Sequence, residues 1–121
     1  VRGYLVSEQN GAFERGVVDY EPSPTDPDDV LLEVEYSGVN FKDALVAMAQ
    51  SRVRRVARLV GGVDAAGVVL TSTHPSIAVG ARVAAHGGDL GVGRDGGFAS
   101  RLYAPAAHVN VLPPSISTRD A

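Results

Sequence analysis

The sequence predicts a mainly β fold, a partly open Greek-key barrel carrying one or two short helices, and three observations support this. Short apolar runs of strand length recur along the chain, separated by clusters drawn from 14 glycines and 7 prolines. Only one segment shows a clear helical period. The alternation of strand and crossover helix that marks a doubly wound parallel sheet is missing.

Composition bounds the rest. The 121 residues fit one domain, 1–121, and 45% of them are hydrophobic. A chain of this size buries roughly two-thirds of its unfolded surface, so it needs no covalent or metal staple. Cysteine is absent, which removes disulfides, thiolate metal sites and cysteine nucleophiles together. The net charge of −3 gives no field that would favour nucleic acid, and no long uncharged apolar run could span a bilayer. Val1-Arg2-Gly3-Tyr4-Leu5 contains no signal-peptide core.

Tyr4–Ser7 and Phe13–Val18 read as two strands around a turn at Asn10-Gly11. Glu21–Asp29, with three prolines and three aspartates, reads as a surface loop, and Asp26, Asp28 and Asp29 as a solvated turn rather than a calcium loop. Val30–Tyr36 alternates as a half-buried strand. A helix is expected over Phe41–Gln50 behind Asn40, with Phe41, Ala44, Leu45 and Met48 as its apolar stripe. Further strands are expected at Val63–Leu70, Arg82–His86, Phe98–Ala104 and Val109–Leu112. Ser117–Ala121 reads as a cap and first helical turn, so a new element is expected to start there.

Several chemical motifs compete with plainer readings. Gly91-Val92-Gly93-Arg94-Asp95-Gly96 spells a dinucleotide fingerprint, but a strand follows it instead of a helix. Without a helix N-terminus to hold pyrophosphate, it reads as a glycine hairpin. His74, His86 and His108 match no zinc spacing; His86 ends a strand beside Gly87-Gly88, where a cleft position is open to it. Arg52, Arg54, Arg55 and Arg58 suit either a phosphate contact or, the favoured reading, a solvated segment. Asn40-Phe41-Lys42-Asp43 is the most informative stretch. Asn40 suits an N-cap, Asp43 suits the first helical turn, and Lys42 is the only lysine beside ten arginines. Asp64, among small residues at a strand start, would need a partner such as Lys42 or an arginine if buried.

Taken together, these segments resemble the catalytic domain of the medium-chain dehydrogenase/reductase superfamily, a GroES-like barrel. The signature Gly-Val-Cys-His-x-Asp of its zinc members stands here as Gly38-Val39-Asn40-Phe41-Lys42-Asp43, and Gly-His-Glu-x-x-Gly as Gly62-Val63-Asp64-Ala65-Ala66-Gly67. Val-Gly-Asp-Arg-Val appears as Val79-Gly80-Ala81-Arg82-Val83, followed by Gly96-Gly97-Phe98-Ala99 and an exit at Val111-Leu112-Pro113. Asn40 and Val63 replace two zinc ligands, so the resemblance implies no catalytic metal. It points to the zinc-free quinone oxidoreductases, especially the acrylyl-CoA reductase branch. Gly61, where that branch has proline, and Ala81, in place of aspartate, depart from the pattern.

The resemblance implies conjugate reduction of an enoyl thioester or quinone by NADPH or NADH, in the cytoplasm. Lys42, Asn40 and Asp43 become the catalytic candidates, and Asn40, Phe41 and Asp64 the cofactor contacts. Lys42 would stabilise charge or give a proton if burial tuned it, while Asp43 and Asp64 would orient it or Asn40. A nucleotide-binding domain is expected after residue 121, holding most of the cofactor and allowing a homodimer. The resemblance gives no membrane or nucleic-acid partner. A different class of reading, a freestanding barrel used for binding or assembly, stays open on fold alone.

Overall fold

The computed structural model describes all residues, Val1–Ala121. Eight strands form two antiparallel sheets: β1 (Arg2–Gln9), β2 (Ala12–Asp19), β3 (Val30–Tyr36), β4 (Arg58–Val60), β5 (Asp64–Thr71), β6 (Arg82–His86), β7 (Arg101–Ala104) and β8 (Val109–Val111). One helix, α1 (Phe41–Val46), and two single 3-10 turns complete the chain. The smaller sheet has the order β2-β1-β4 and the larger β7-β3-β5-β6-β8, so the barrel is partly open, as the sequence predicts.

The β1–β2 hairpin follows from its turn. Asn10 (φ 52°) and Gly11 (φ 77°) both take left-handed conformations, which match the twist of the flanking strands and set Gln9 opposite Ala12. The main core lies between β3, β5, β6 and β7, where Val30, Leu32, Val69, Val83 and Leu102 are buried. Each such side chain contributes roughly 1.5–3 kcal/mol of apolar burial.

Two corners join the sheets and shape the cleft. Predicted strand Phe98–Ala104 is a strand only over Arg101–Ala104; its first part bends to serve both sheets. Tyr4 N–H donates to the Phe98 carbonyl (2.8 Å), Ser100 N–H to Arg2 (3.1 Å) and Val34 N–H to Ser100 (2.9 Å). The second corner is Gly61-Gly62, between β4 and β5. Gly62 has φ +99°, and a Cβ there would lie 2.6 Å from the Phe98 nitrogen, so only glycine fits. The corners are tied by Phe98 N–H to Gly61 O and Gly97 N–H to Gly62 O, both 2.9 Å.

Three expectations need correction. α1 ends at Val46, not Gln50, and buries Asp43 and Val46; Phe41, Ala44 and Met48 are exposed and Leu45 is half-buried. The reason is polar: Asp43 faces inward because its carboxylate is the acceptor for backbone N–H groups below the helix. Strand β4 was not predicted, because three residues in an arginine-rich stretch carry no period; pairing with Leu5–Ser7 of β1 makes it. Finally, Asp29 is not solvated. Its side chain is wholly buried and accepts from Arg94 (2.7 Å), from Thr25 N–H (2.7 Å) and from Asp26 N–H (3.1 Å).

The arginine cluster also divides. Arg54 is buried, donates to the carbonyls of Val46 (2.6 Å) and Met48 (2.9 Å) and pairs with Glu8, so it finishes the helix end. Arg52, Arg55 and Arg58 are exposed, as a solvated segment requires.

Candidate active site

The site is built where β3 runs into α1 and β5 begins. Asn40 precedes the helix in extended conformation (φ −114°, ψ 160°), with its carbonyl accepting Asp43 N–H at 3.0 Å. Its side chain does not cap the helix, as the sequence had suggested. Asp43 instead reaches back: Oδ2 accepts the Asn40 N–H (2.8 Å), and Oδ1 accepts the Val63 N–H (3.0 Å). A carboxylate in the first turn also complements the positive helix end. Asp43 is therefore the bracket that fixes α1 to the Gly62 corner.

Freed from capping, the Asn40 amide turns to Asp64. Nδ2 donates to Asp64 Oδ2 (3.0 Å) and lies 3.4 Å from Asp43 Oδ2, an orientation that two carboxylates impose because an amide oxygen there would be repelled. Asp64 Oδ1 takes the Gly38 N–H (2.7 Å), and its carbonyl takes the Ser37 hydroxyl (2.8 Å). A Cβ on Gly38 would sit 3.2 Å from both Asp64 oxygens, so glycine gives the carboxylate its close approach. Asp64 is half-buried and directly opposite His86 in the β5–β6 register.

Two clefts flank this cluster. One, of about 380 Å³, is walled by Gly38, Asp64, Ala65, Ala66, Ala84 and Ala85 and bounded by His86 and the terminal Thr118-Arg119 turn. The other, of about 270 Å³, is lined by Lys42, Arg55, Val63, His86 and the Gly87–Leu90 segment. Lys42 is exposed and makes no hydrogen bond or ion pair. The partner expected for Asp64 is thus Asn40, not Lys42, and Phe41 projects from the surface, 76% exposed. So the structure unites Asn40, Asp43 and Asp64, puts Lys42 in the adjoining cleft, and leaves Phe41 outside the hydrogen-bonded cluster.

Of the arginine cluster only Arg55 lines the Lys42 cleft, and His86 with Gly87-Gly88 takes the cleft position open to it in sequence; Asp89 does not stand out in sequence, since only the fold brings it there. The glycine-rich Gly91–Gly96 loop is no phosphate cradle. Its N–H groups are used internally: Gly91 donates to Arg94 O (2.8 Å), Val92 and Gly93 to Asp89 O (3.0 and 2.9 Å), and Gly96 to Val60 O (2.9 Å).

No three His, Cys, Asp or Glu side chains converge where they could hold a metal ion, and no helix is long and apolar enough to cross a membrane. Elsewhere, burial and the nearby Asp95 charge push the Tyr20 phenol up to about 12. Burial would raise the Asp29 carboxyl, but the Arg94 hydrogen bond, two backbone N–H bonds and the Arg94 charge together hold it below its ordinary value.

The fold is that of a GroES-like domain, and residues 26–114 match the family of the alcohol dehydrogenase GroES-like domain. The chain belongs to that family. Among its relatives, YhfP of Bacillus subtilis, provisionally named a quinone oxidoreductase, is 40% identical over 94 residues, 78% of this chain and 28% of that protein. Acrylyl-CoA reductase AcuI of Ruegeria pomeroyi is 29% identical over 114 residues, 94% of this chain and 34% of that protein. The YhdH oxidoreductase of Salmonella enterica, solved in complex with NADP, superposes with a TM-score of 0.89 at 28% identity, over 99% of this chain and 37% of that one. The chain spans about a third of the length of these relatives (28–37%).

Proposed function

We propose that this chain is the substrate-side domain of a zinc-independent, NAD(P)H-dependent reductase of activated alkenes or quinones, acrylyl-CoA reductase-like in its chemistry. The reading includes a nucleotide-binding domain after residue 121, through which a homodimer forms, and a cytoplasmic location. The single observation that carries it is the Asn40–Asp43–Asp64 cluster: at the position of a zinc thiolate stands an amide oriented by two carboxylates. Asparagine and valine cannot replace a thiolate and an imidazole as zinc ligands, so the donor set does not suit zinc.

The residues fit a dinucleotide's flat ring. Small side chains wall much of the 380 Å³ cleft, leaving room that larger ones would fill, and Asp64, which holds Asn40, lines it with polar atoms to orient a carboxamide. When bound, NAD(P)H supplies a hydride and retains most of its contacts with the following domain. Were the substrate's β-carbon to receive that hydride, the alkene π pair would become the second bond of a Cα=C enolate and the carbonyl π pair would move onto oxygen. A cation near that oxygen lowers the barrier, and a proton then completes the α-carbon. Lys42 is a free cation in the cleft beside the cluster. Asp43 is a positioning residue, with both oxygens engaged by backbone N–H groups.

Lys42→Met tests the assignment, in the protein carrying both domains. A fall in kcat of about 100-fold on an acrylyl thioester or quinone, with an unchanged melting temperature, is expected. A near-native kcat and KM would make Lys42 a solvated helix residue. Asn40→Ala needs a melting curve beside its kinetics, because the side chain is bonded to Asp64 and lies against Asp43 at the helix start.

A further inference from the structure

The turn that closes the Lys42 cleft has an unusual backbone. Gly87, Gly88 and Asp89 take φ of +91°, +60° and +64° in succession, a region that residues with a Cβ adopt uncommonly and Asp more readily than most. The turn is pinned rather than loose: Asp89 O accepts three N–H groups, from Val92, Gly93 and Arg94 at 2.9–3.2 Å, and Gly87 O accepts Leu90 N–H at 3.2 Å. Yet the N–H groups of Gly87, Gly88 and Asp89 themselves donate to no acceptor in the protein. Consecutive backbone N–H groups in left-handed turns make anion-binding concavities. All three residues line the 270 Å³ cleft opposite Lys42.

Charge decides which anion. Among the charged side chains that line this cleft, Arg55 is matched by Asp89 at 3.1 Å. Lys42 is the one cation of the cleft left without a counter-ion, so the site suits one negative charge, not the two of a phosphate monoester.

We propose that the Gly87–Asp89 turn and Lys42 together form a binding site for a singly charged oxygen. The identity of that oxygen, the carbonyl oxygen of a conjugated thioester or ketone as it becomes an enolate, rests on the reductase reading; binding of a simple carboxylate does not. Such donors act before any charge moves, because the turn is already held in place.

The test uses the 121-residue chain, uniformly ¹⁵N-labelled and titrated with sodium propionate, sodium phosphate and sodium chloride at matched ionic strength. Propionate should move the Gly87, Gly88 and Asp89 amide resonances saturably, more than phosphate or chloride does, and Lys42→Met should weaken that response about three- to tenfold. Asp89→Asn keeps a residue that tolerates the left-handed backbone and releases Arg55, so phosphate affinity should rise above that for propionate. Amides that move no more than the rest of the chain, or a wild-type response led by phosphate, would overturn the proposal. Near-native kcat and KM in Lys42→Met, alongside a saturable wild-type propionate response at Gly87–Asp89, would overturn only the reductase reading and leave the anion site standing.

Discussion

Two carboxylate centres in this chain look alike in sequence and differ in kind. Asp29 is buried against Arg94 in a full ion pair that ties the 21–29 loop to the glycine loop, and Arg94 also donates to the Tyr103 carbonyl at 2.8 Å. Asp43 and Asp64 have no cation bonded to them; an amide and backbone N–H groups hold them. The first arrangement satisfies its charge internally and has nothing left to offer a ligand. The second spends its acceptors on orienting Asn40 and leaves Lys42, one residue before Asp43, unpaired at the cleft. Pairing state thus separates a structural acid from site acids more sharply than burial does, since Asp29 and Asp43 are both buried.

The largest effect expected from this contrast is on Asp29. Asp29→Asn leaves Arg94 buried without its counter-charge and should cost about 3 kcal/mol in chemical denaturation. Its pH signature is directional. Because the folded carboxyl lies below its ordinary value, the stabilisation is fully present above the unfolded pKa, near 4, and is lost as pH falls through the lower folded value. Asp29→Asn should flatten that acid limb; an unchanged limb would mean that Arg94 contributes nothing through charge.

A smaller loss is expected at the second centre. Asp43→Ala strands the Asn40 and Val63 N–H groups and should cost about 1–3 kcal/mol. It should also free the Asn40 amide from its fixed direction, so KM and kcat change together in the two-domain protein. If Asp43→Ala destabilises as much as Asp29→Asn while sparing activity, both acids are merely structural and the distinction collapses.

How far the sequence discloses this molecule depends on whether a feature is local. The β1–β2 hairpin, β3, β5 and β6 follow from period-two patterning and from Asn10-Gly11, all short-range signals. Hidden features needed distant partners. β4 is a strand only because β1 pairs with it, and Phe98–Ser100 bends because two sheets compete for its backbone. In the site, the stretch Asn40-Phe41-Lys42-Asp43 and the residue Asp64 stood out in sequence, but whether Asp64 holds Lys42 or Asn40 was settled only by the geometry, which pairs it with Asn40. Amphipathic counting favoured Phe41 and Met48 for the buried stripe, whereas a buried aspartate set the rotation of α1.

The account stands or falls on hydride delivery without metal. The direct measurement is turnover by the protein with its nucleotide-binding domain, in the presence of chelator, using NADPH carrying deuterium at both C4 positions and an acrylyl thioester. Mass spectrometry of the propionyl product should find one deuterium, at the β-carbon, formed at a rate the chelator leaves unchanged. Product without deuterium, or turnover that zinc must restore, would contradict the reading of Asn40, Lys42 and Asp64 as a zinc-independent reductive site.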